Sequence, residues 1–313
     1  VSAAREQADE STGRQGAVRL LPSAVTVLAM CAGLSAVKFA LDGRLGLSLA
    51  MIGAAAVFDA LDGRIARMLD ATSRMGAELD SLADAISFGV APALVLYVTL
   101  LEGSSGGWVI ALIYAVSIVL RLARFNTLLD DDSRPAFAGE YFVGVPAPAG
   151  ALVTLLPLAA EEQWGNGWWS SYYVVATWVV LSALLIVSRI PTMAFKTVSV
   201  PPRMATLLLI LVGLAGAALI TFPFVLLMVL IVLYLLHIPF AVRSQRWVAA
   251  RPETWEAKPA ERRAVRRAMR KDRPARTGIA RRRRPARATA SSARLRLRSP
   301  SARAADVPPR DEI

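Results

Sequence analysis

The chain has 313 residues, 55% of them hydrophobic, with a mean hydropathy of +0.46 and a formal net charge of +12. So apolar an average excludes an ordinary soluble domain, and so much hydrophobicity excludes a disordered basic protein. The two signals separate along the chain: residues 1–242 carry 14 Lys and Arg against 17 Asp and Glu, a net of −3, whereas residues 243–313 carry 22 against 7, a net of +15. A single cysteine, Cys31, and a single histidine, His237, rule out an intrachain disulfide and a Cys/His zinc site. Any chemistry must therefore run on carboxylates, hydroxyls and basic side chains.

A helix needs roughly 20 apolar residues to cross the hydrocarbon core of a bilayer. Eight stretches suit that role: 21–41, 45–67, 76–101, 107–127, 145–161, 170–188, 204–221 and 223–242. They predict an all-α, polytopic membrane bundle of about eight transmembrane helices. The fifth is the weakest, with Pro146 and Pro148 at its start. The first does not read as a cleavable signal peptide, because Glu6, Asp9 and Glu10 precede it and no small-residue cleavage site follows. Basic residues cluster on one side of the spans: Arg5, Arg14 and Arg19; Arg64, Arg67 and Arg74; Arg121, Arg124 and Arg134; Arg189, Lys196 and Arg203. The other side offers Arg44 with Lys38 nearby, and the linkers 102–106 and 162–169 contain no Lys or Arg. By the positive-inside rule both termini are cytoplasmic. Three regions follow: a cytoplasmic segment 1–20, a transmembrane catalytic domain 21–242, and a basic tail 243–313.

Charges inside spans are costly, so each asks for a reason. The second span ends with Asp59 and Asp62, and the third begins with Asp80 and Asp84. Spacings of three and four place each pair on one helix face. The connection at 68–75 is short, which makes the two spans antiparallel neighbours and brings four carboxylates together near the cytoplasmic surface. Pairing with Arg64, Arg67 and Arg74 is the plain alternative, but four intramembrane acids exceed what such pairs need. Four anions at close range call for countercharge, and hard divalent cations with oxygen ligands supply it; without His or Cys, Mg²⁺ or Mn²⁺ fits better than zinc. Gly63 and Gly76, without Cβ atoms, let a ligand approach the backbone closely.

These residues carry a resemblance. Asp59, Asp62, Gly63, Ala66, Arg67, Gly76, Asp80 and Asp84 match in full, spacing included, the signature of the CDP-alcohol phosphatidyltransferase family. The flanks, Ser87-Phe88-Gly89 with Pro92, Arg121-Leu-Ala-Arg124-Phe125-Asn126 and Gly144-Val-Pro146-Ala-Pro148, resemble the serine-using branch of that family. The likeness covers roughly residues 20–240. One departure is Ser23, where the family often has Asn, so no nucleotide contact is carried onto it.

The resemblance implies transfer of the phosphatidyl group of CDP-diacylglycerol to the hydroxyl of L-serine, with release of CMP. It implies Asp59, Asp62 and Asp80 as metal ligands, Asp84 as ligand and general base, and two Mg²⁺ or Mn²⁺ ions. Gly63, Arg67 and Ser73 match positions that contact the CDP-lipid, and Gly76 joins them. The chemistry agrees: splitting a pyrophosphate needs charge neutralised on the leaving phosphate, and an aliphatic hydroxyl needs a base. Arg67 can fork onto a phosphate oxygen. For the acceptor carboxylate Arg121 and Arg124 are candidates, with Lys196 as a further basic candidate, although arginines at span ends also serve as topological anchors. The family implies a homodimer.

Two other readings remain open on sequence. A sister enzyme would use glycerol-3-phosphate or inositol phosphate, whose phosphate dianion asks for a denser basic pocket. A cation transporter would also bury acids, but here the acids sit near one face only. The tail, with its Arg281–Arg284 run and a possible basic helix over 261–271, reads as largely disordered and drawn to anionic lipid, each Lys or Arg adding roughly 1 kcal/mol. Nucleic-acid binding is a poor second for it.

Overall fold

The computed structural model describes residues 2–129, 141–193, 205–252, 255, 261–262 and 265, all but the last within one compact unit, Val1–Arg262. The elements run α1 (Ser2–Leu41), α2 (Leu45–Met68), α3 (Arg74–Leu101), α4 (Ser105–Leu129), β1 (Tyr141–Val143), α5 (Ala147–Thr154), α6 (Leu156–Trp164), α7 (Tyr172–Val187), β2 (Pro191–Met193), α8 (Ala205–Thr221) and α9 (Pro223–Ala249). Among the described residues, five helices are long and apolar enough to cross a membrane: Leu20–Leu41 of α1, α2, α3, Gly106–Leu128 of α4, and α9. Helix α7 and residues Thr206–Thr221 of α8 are apolar but shorter. The chain is a multi-pass membrane protein.

Small residues set the packing at its centre. Ala29, Ala32, Ala36 and Ala40 form the buried face of α1, and Leu49, Ile52 and Ala55 that of α2. A Cβ placed on Gly33 would lie 2.7 Å from the Ser87 Cα, so glycine is what lets α1 and α3 touch backbone to backbone. Along the same helix, Thr26 of α1 meets Asp62 of α2.

Prolines shape the rest. Helix α3 passes through π-turns at Ala85–Val90 and Tyr97–Leu101. Pro92 cannot donate to the Phe88 carbonyl four residues before it. Tyr114 of α4, fully buried, donates to that carbonyl at 2.6 Å. The same device recurs where the predicted fifth span departs from expectation. Instead of one helix over 145–161, the chain forms α5 and α6, broken at Leu155. Pro157 removes the donor for Val153, and the Trp178 indole of α7 donates to that carbonyl at 2.9 Å.

A short antiparallel pair, β1 with β2, sets Phe142 opposite Thr192 and is the exception to the all-helical expectation. The first residues of the predicted tail, 243–249, continue α9 rather than leave the helix at 242, whereas the tail from 266 onward lies outside the described residues, as do Arg134, Lys196 and Arg203.

Candidate active site

The connection between α2 and α3 is tight. Asp70 takes a left-handed φ of 47°, and Ser73 caps α3 by accepting from the Gly76 N–H at 3.0 Å. The two helices then run back alongside each other, and their acids meet. One carboxylate oxygen from each of Asp59, Asp62 and Asp80 lies within 4.8 Å of the others. Asp84, one turn deeper than Asp80, is within hydrogen-bonding reach of Asp59. Asp62 is 4% exposed, and the Thr26 hydroxyl, 2.7 Å from its Oδ2, donates to it.

None of the four acids forms an ion pair with Arg64, Arg67 or Arg74, so the alternative of simple charge pairing does not describe the site. Arg121 of α4 supplies the opposing cation from a greater distance. It lies one turn beyond Ile118 and two beyond Tyr114 on the buried face of α4, is 8% exposed, and interacts electrostatically with Asp84 and Asp59. Arg124, three residues on, does something else: its guanidinium donates to the Val187 carbonyl at the end of α7, at 2.5 Å. Asn126 of α4 donates to Ser81 of α3, next to Asp80, at 3.1 Å and ties the two helices together.

An open cleft of about 210 Å³ leads to the acids. Pro22, Ser23 and Thr26 form one wall, and Asp62, Gly63, Arg67, Ser73, Gly76 and Asp80 lie among the residues opposite. All four residues expected to contact a CDP-lipid thus line one space. A Cβ on Gly63 would meet no neighbouring atom within 4 Å, so packing does not demand glycine there; the bare backbone opens onto the cleft.

The sequence family called CDP-alcohol phosphatidyltransferase matches residues 19–188, which include every acid described above and Arg121. The chain belongs to that family. Its relatives include a CDP-diacylglycerol–serine O-phosphatidyltransferase of Mycobacterium tuberculosis, 54% identical over 270 residues, covering 86% of this chain and 94% of the relative. The enzyme of the same name from Mycobacterium leprae is 49% identical over 264 residues, 84% of this chain and 88% of the relative. That of Helicobacter pylori is 30% identical over 196 residues, 62% and 81%.

The donor set fits hard divalent cations. Three carboxylates converge without a paired arginine, all donors are oxygen, and the cleft opens directly onto Asp62 and Asp80. The buried aspartate cluster is consistent with a divalent metal site.

Sequence reasoning passed over Thr26, Thr192 and Tyr234. Thr26 was legible in principle, as a hydroxyl four residues after Pro22 inside an apolar run. Tyr234 carried no signal, because one tyrosine in an apolar helix imposes no evident cost.

Proposed function

We propose that this chain transfers the phosphatidyl group of CDP-diacylglycerol to the hydroxyl of L-serine, giving phosphatidylserine and CMP. The observation that carries the reading is the meeting of Asp59, Asp62 and Asp80 at a cleft lined by Gly63, Arg67, Ser73 and Gly76. The serine-specific names of relatives 49–54% identical over more than four fifths of the chain support the acceptor.

Asp59, Asp62 and Asp80, with Asp84, would hold two Mg²⁺ or Mn²⁺ ions, which when bound neutralise charge on the pyrophosphate. The chain's own groups do the remaining work. Arg67 forks onto a phosphate oxygen from the cleft wall. The Ser73 oxygen accepts from Gly76, which leaves its O–H free to donate to the same phosphate. Asp84 takes the proton of the serine hydroxyl as the new O–P bond forms and the bond to CMP breaks. Arg121, close to Asp84 and buried, faces the acceptor carboxylate. Arg124 contributes to the acceptor side through the end of α7, and Lys196 lies outside the described residues.

The same reading sets the membrane topology. Five long helices cross; α7 and α8, at 16 and 17 residues, cross where the bilayer is thinner or locally deformed; and the broken pair α5–α6 is an eighth crossing. Eight crossings put both termini in the cytoplasm, in accord with the basic residues, and the catalytic domain spans 21–242. The assembly is a homodimer, as in the family, and the basic tail 243–313 rests on anionic lipid.

Purified protein given CDP-diacylglycerol, Mn²⁺ or Mg²⁺ and labelled serine should yield labelled phosphatidylserine and an equal amount of CMP. Transfer to glycerol-3-phosphate or inositol phosphate, with none to serine, would overturn the acceptor. Ion flux in vesicles without CMP release would overturn the enzyme.

A further inference from the structure

Arg121, beside Asp84 and Asp59, and Tyr234, beside Arg121, each bury a polar atom with no hydrogen bond within 3.5 Å. Arg121 Nε is buried without a partner. The arginine is held in place: the Phe125 ring lies 5.9 Å from its guanidinium carbon, and Asp84 and Asp59 lie within its electrostatic reach. Tyr234 of α9 is its other neighbour, and the Tyr234 hydroxyl is likewise buried with no hydrogen bond within 3.5 Å. Thr192 of β2 faces that hydroxyl, but its own O–H donates to the Gly144 carbonyl at 2.9 Å. Thr192 therefore presents Tyr234 with a neutral acceptor from beyond 3.5 Å, and a carboxylate oxygen is the stronger acceptor for the same O–H. Thr192 and Tyr234 both lie beyond residues 19–188, the stretch matched by the family.

Buried donors left unmade are costly, about 1–3 kcal/mol each, so a site that keeps two of them side by side is shaped for a ligand that accepts. We propose that Tyr234 and Arg121 form a two-point clasp on the carboxylate of the amino-acid acceptor, with Tyr234 donating to one oxygen and Arg121 to the other. The inference rests on the serine reading above and deepens it.

Charge decides between acceptors. A carboxylate carries one negative charge and meets one buried cation, Arg121. A phosphate dianion is better met by two close cations, and Arg124, the adjacent arginine, turns its Nη1 to the Val187 carbonyl. Position agrees as well. The serine hydroxyl is two carbons from its carboxylate carbon, so a carboxylate held at Arg121 leaves the hydroxyl near Asp84, the group that takes its proton. In this arrangement α9 reads the acceptor while α2 and α3 hold the reacting phosphate.

The test is steady-state kinetics of the full-length wild type, Tyr234→Phe and Arg121→Lys, with CDP-diacylglycerol and Mn²⁺. Loss of a hydrogen bond to a charged group should raise the KM for serine about tenfold in Y234F, with kcat and the KM for CDP-diacylglycerol within about twofold of wild type. Arg121→Lys, which keeps the charge and loses the fork, should raise the serine KM in the same way. Serinol, in which a hydroxymethyl group replaces the carboxylate, should be used, or should compete with serine, equally in wild type and Y234F. An unchanged serine KM in Y234F, or equal losses with serine and serinol, would overturn the clasp while phosphatidylserine formation by the wild type still stood. A wild type that ignores serine but uses another alcohol would overturn the serine reading and the clasp together.

Discussion

In the second half of α3, Pro92 deprives the Phe88 carbonyl of its helical donor and Tyr114 supplies another from α4; in the first half, Asp80 and Asp84 meet Asp59 and Asp62 with no ion pair to an arginine among the described residues. Both halves bury polar atoms in the same helix, yet in one a donor meets a carbonyl whereas in the other like charges gather. The contrast teaches where the bundle keeps its binding capacity. Where a buried group serves only the fold, an aromatic donor from the next helix satisfies it, as Tyr114 does for Phe88 and Trp178 for Val153. Among the described residues Arg121 Nε and the Tyr234 hydroxyl stay unsatisfied as neighbours, with Asp84 beside Arg121, as expected if a ligand completes them; Ser48 Oγ on α2 and Glu161 Oε2 on α6 are unsatisfied as well.

The sharpest way to break this contrast is to change each side in turn. Asp84→Asn keeps the shape of the acid side and removes the proposed base. Turnover with serine should fall by about 10²–10⁴-fold, while equilibrium binding of CDP-diacylglycerol stays near wild type. Near-normal turnover would show that Asp84 is not the group that takes the proton.

On the carbonyl side the effect should be smaller and of another kind. Tyr114→Phe leaves the Phe88 carbonyl without its aromatic donor. It should cost roughly 1–2 kcal/mol of stability, read as a lower melting temperature in detergent, with the serine KM unchanged. A changed KM with unchanged melting would mean that Tyr114 belongs to the site and that the division drawn here is wrong.

How far the sequence carried this account differs by region for physical reasons. Helices α2, α3 and α9 and the acid motif were legible, because charge inside an apolar span is costly and four-residue spacing fixes a face. The arginines show the limit. Arg121 and Arg124 share one local signal, but only tertiary packing sends the first toward Asp84 and the second to the Val187 carbonyl. The break at Leu155 leaves no mark in hydropathy, because Pro157 keeps the stretch apolar while removing a backbone donor from its middle. Thr26 and Tyr234 were missed because an uncharged hydroxyl in an apolar helix leaves little trace in hydropathy, and its partner comes from a distant part of the chain.

The central claim is that the unpaired acids are kept for divalent cations. Titration of purified protein with Mn²⁺, followed by the loss of the free-ion signal in electron paramagnetic resonance, tests it without reference to turnover. The wild type should take up Mn²⁺ at stoichiometric levels, and Asp59→Asn combined with Asp80→Asn should abolish that uptake while the protein remains folded. Equal Mn²⁺ uptake by the wild type and the folded double variant would contradict it.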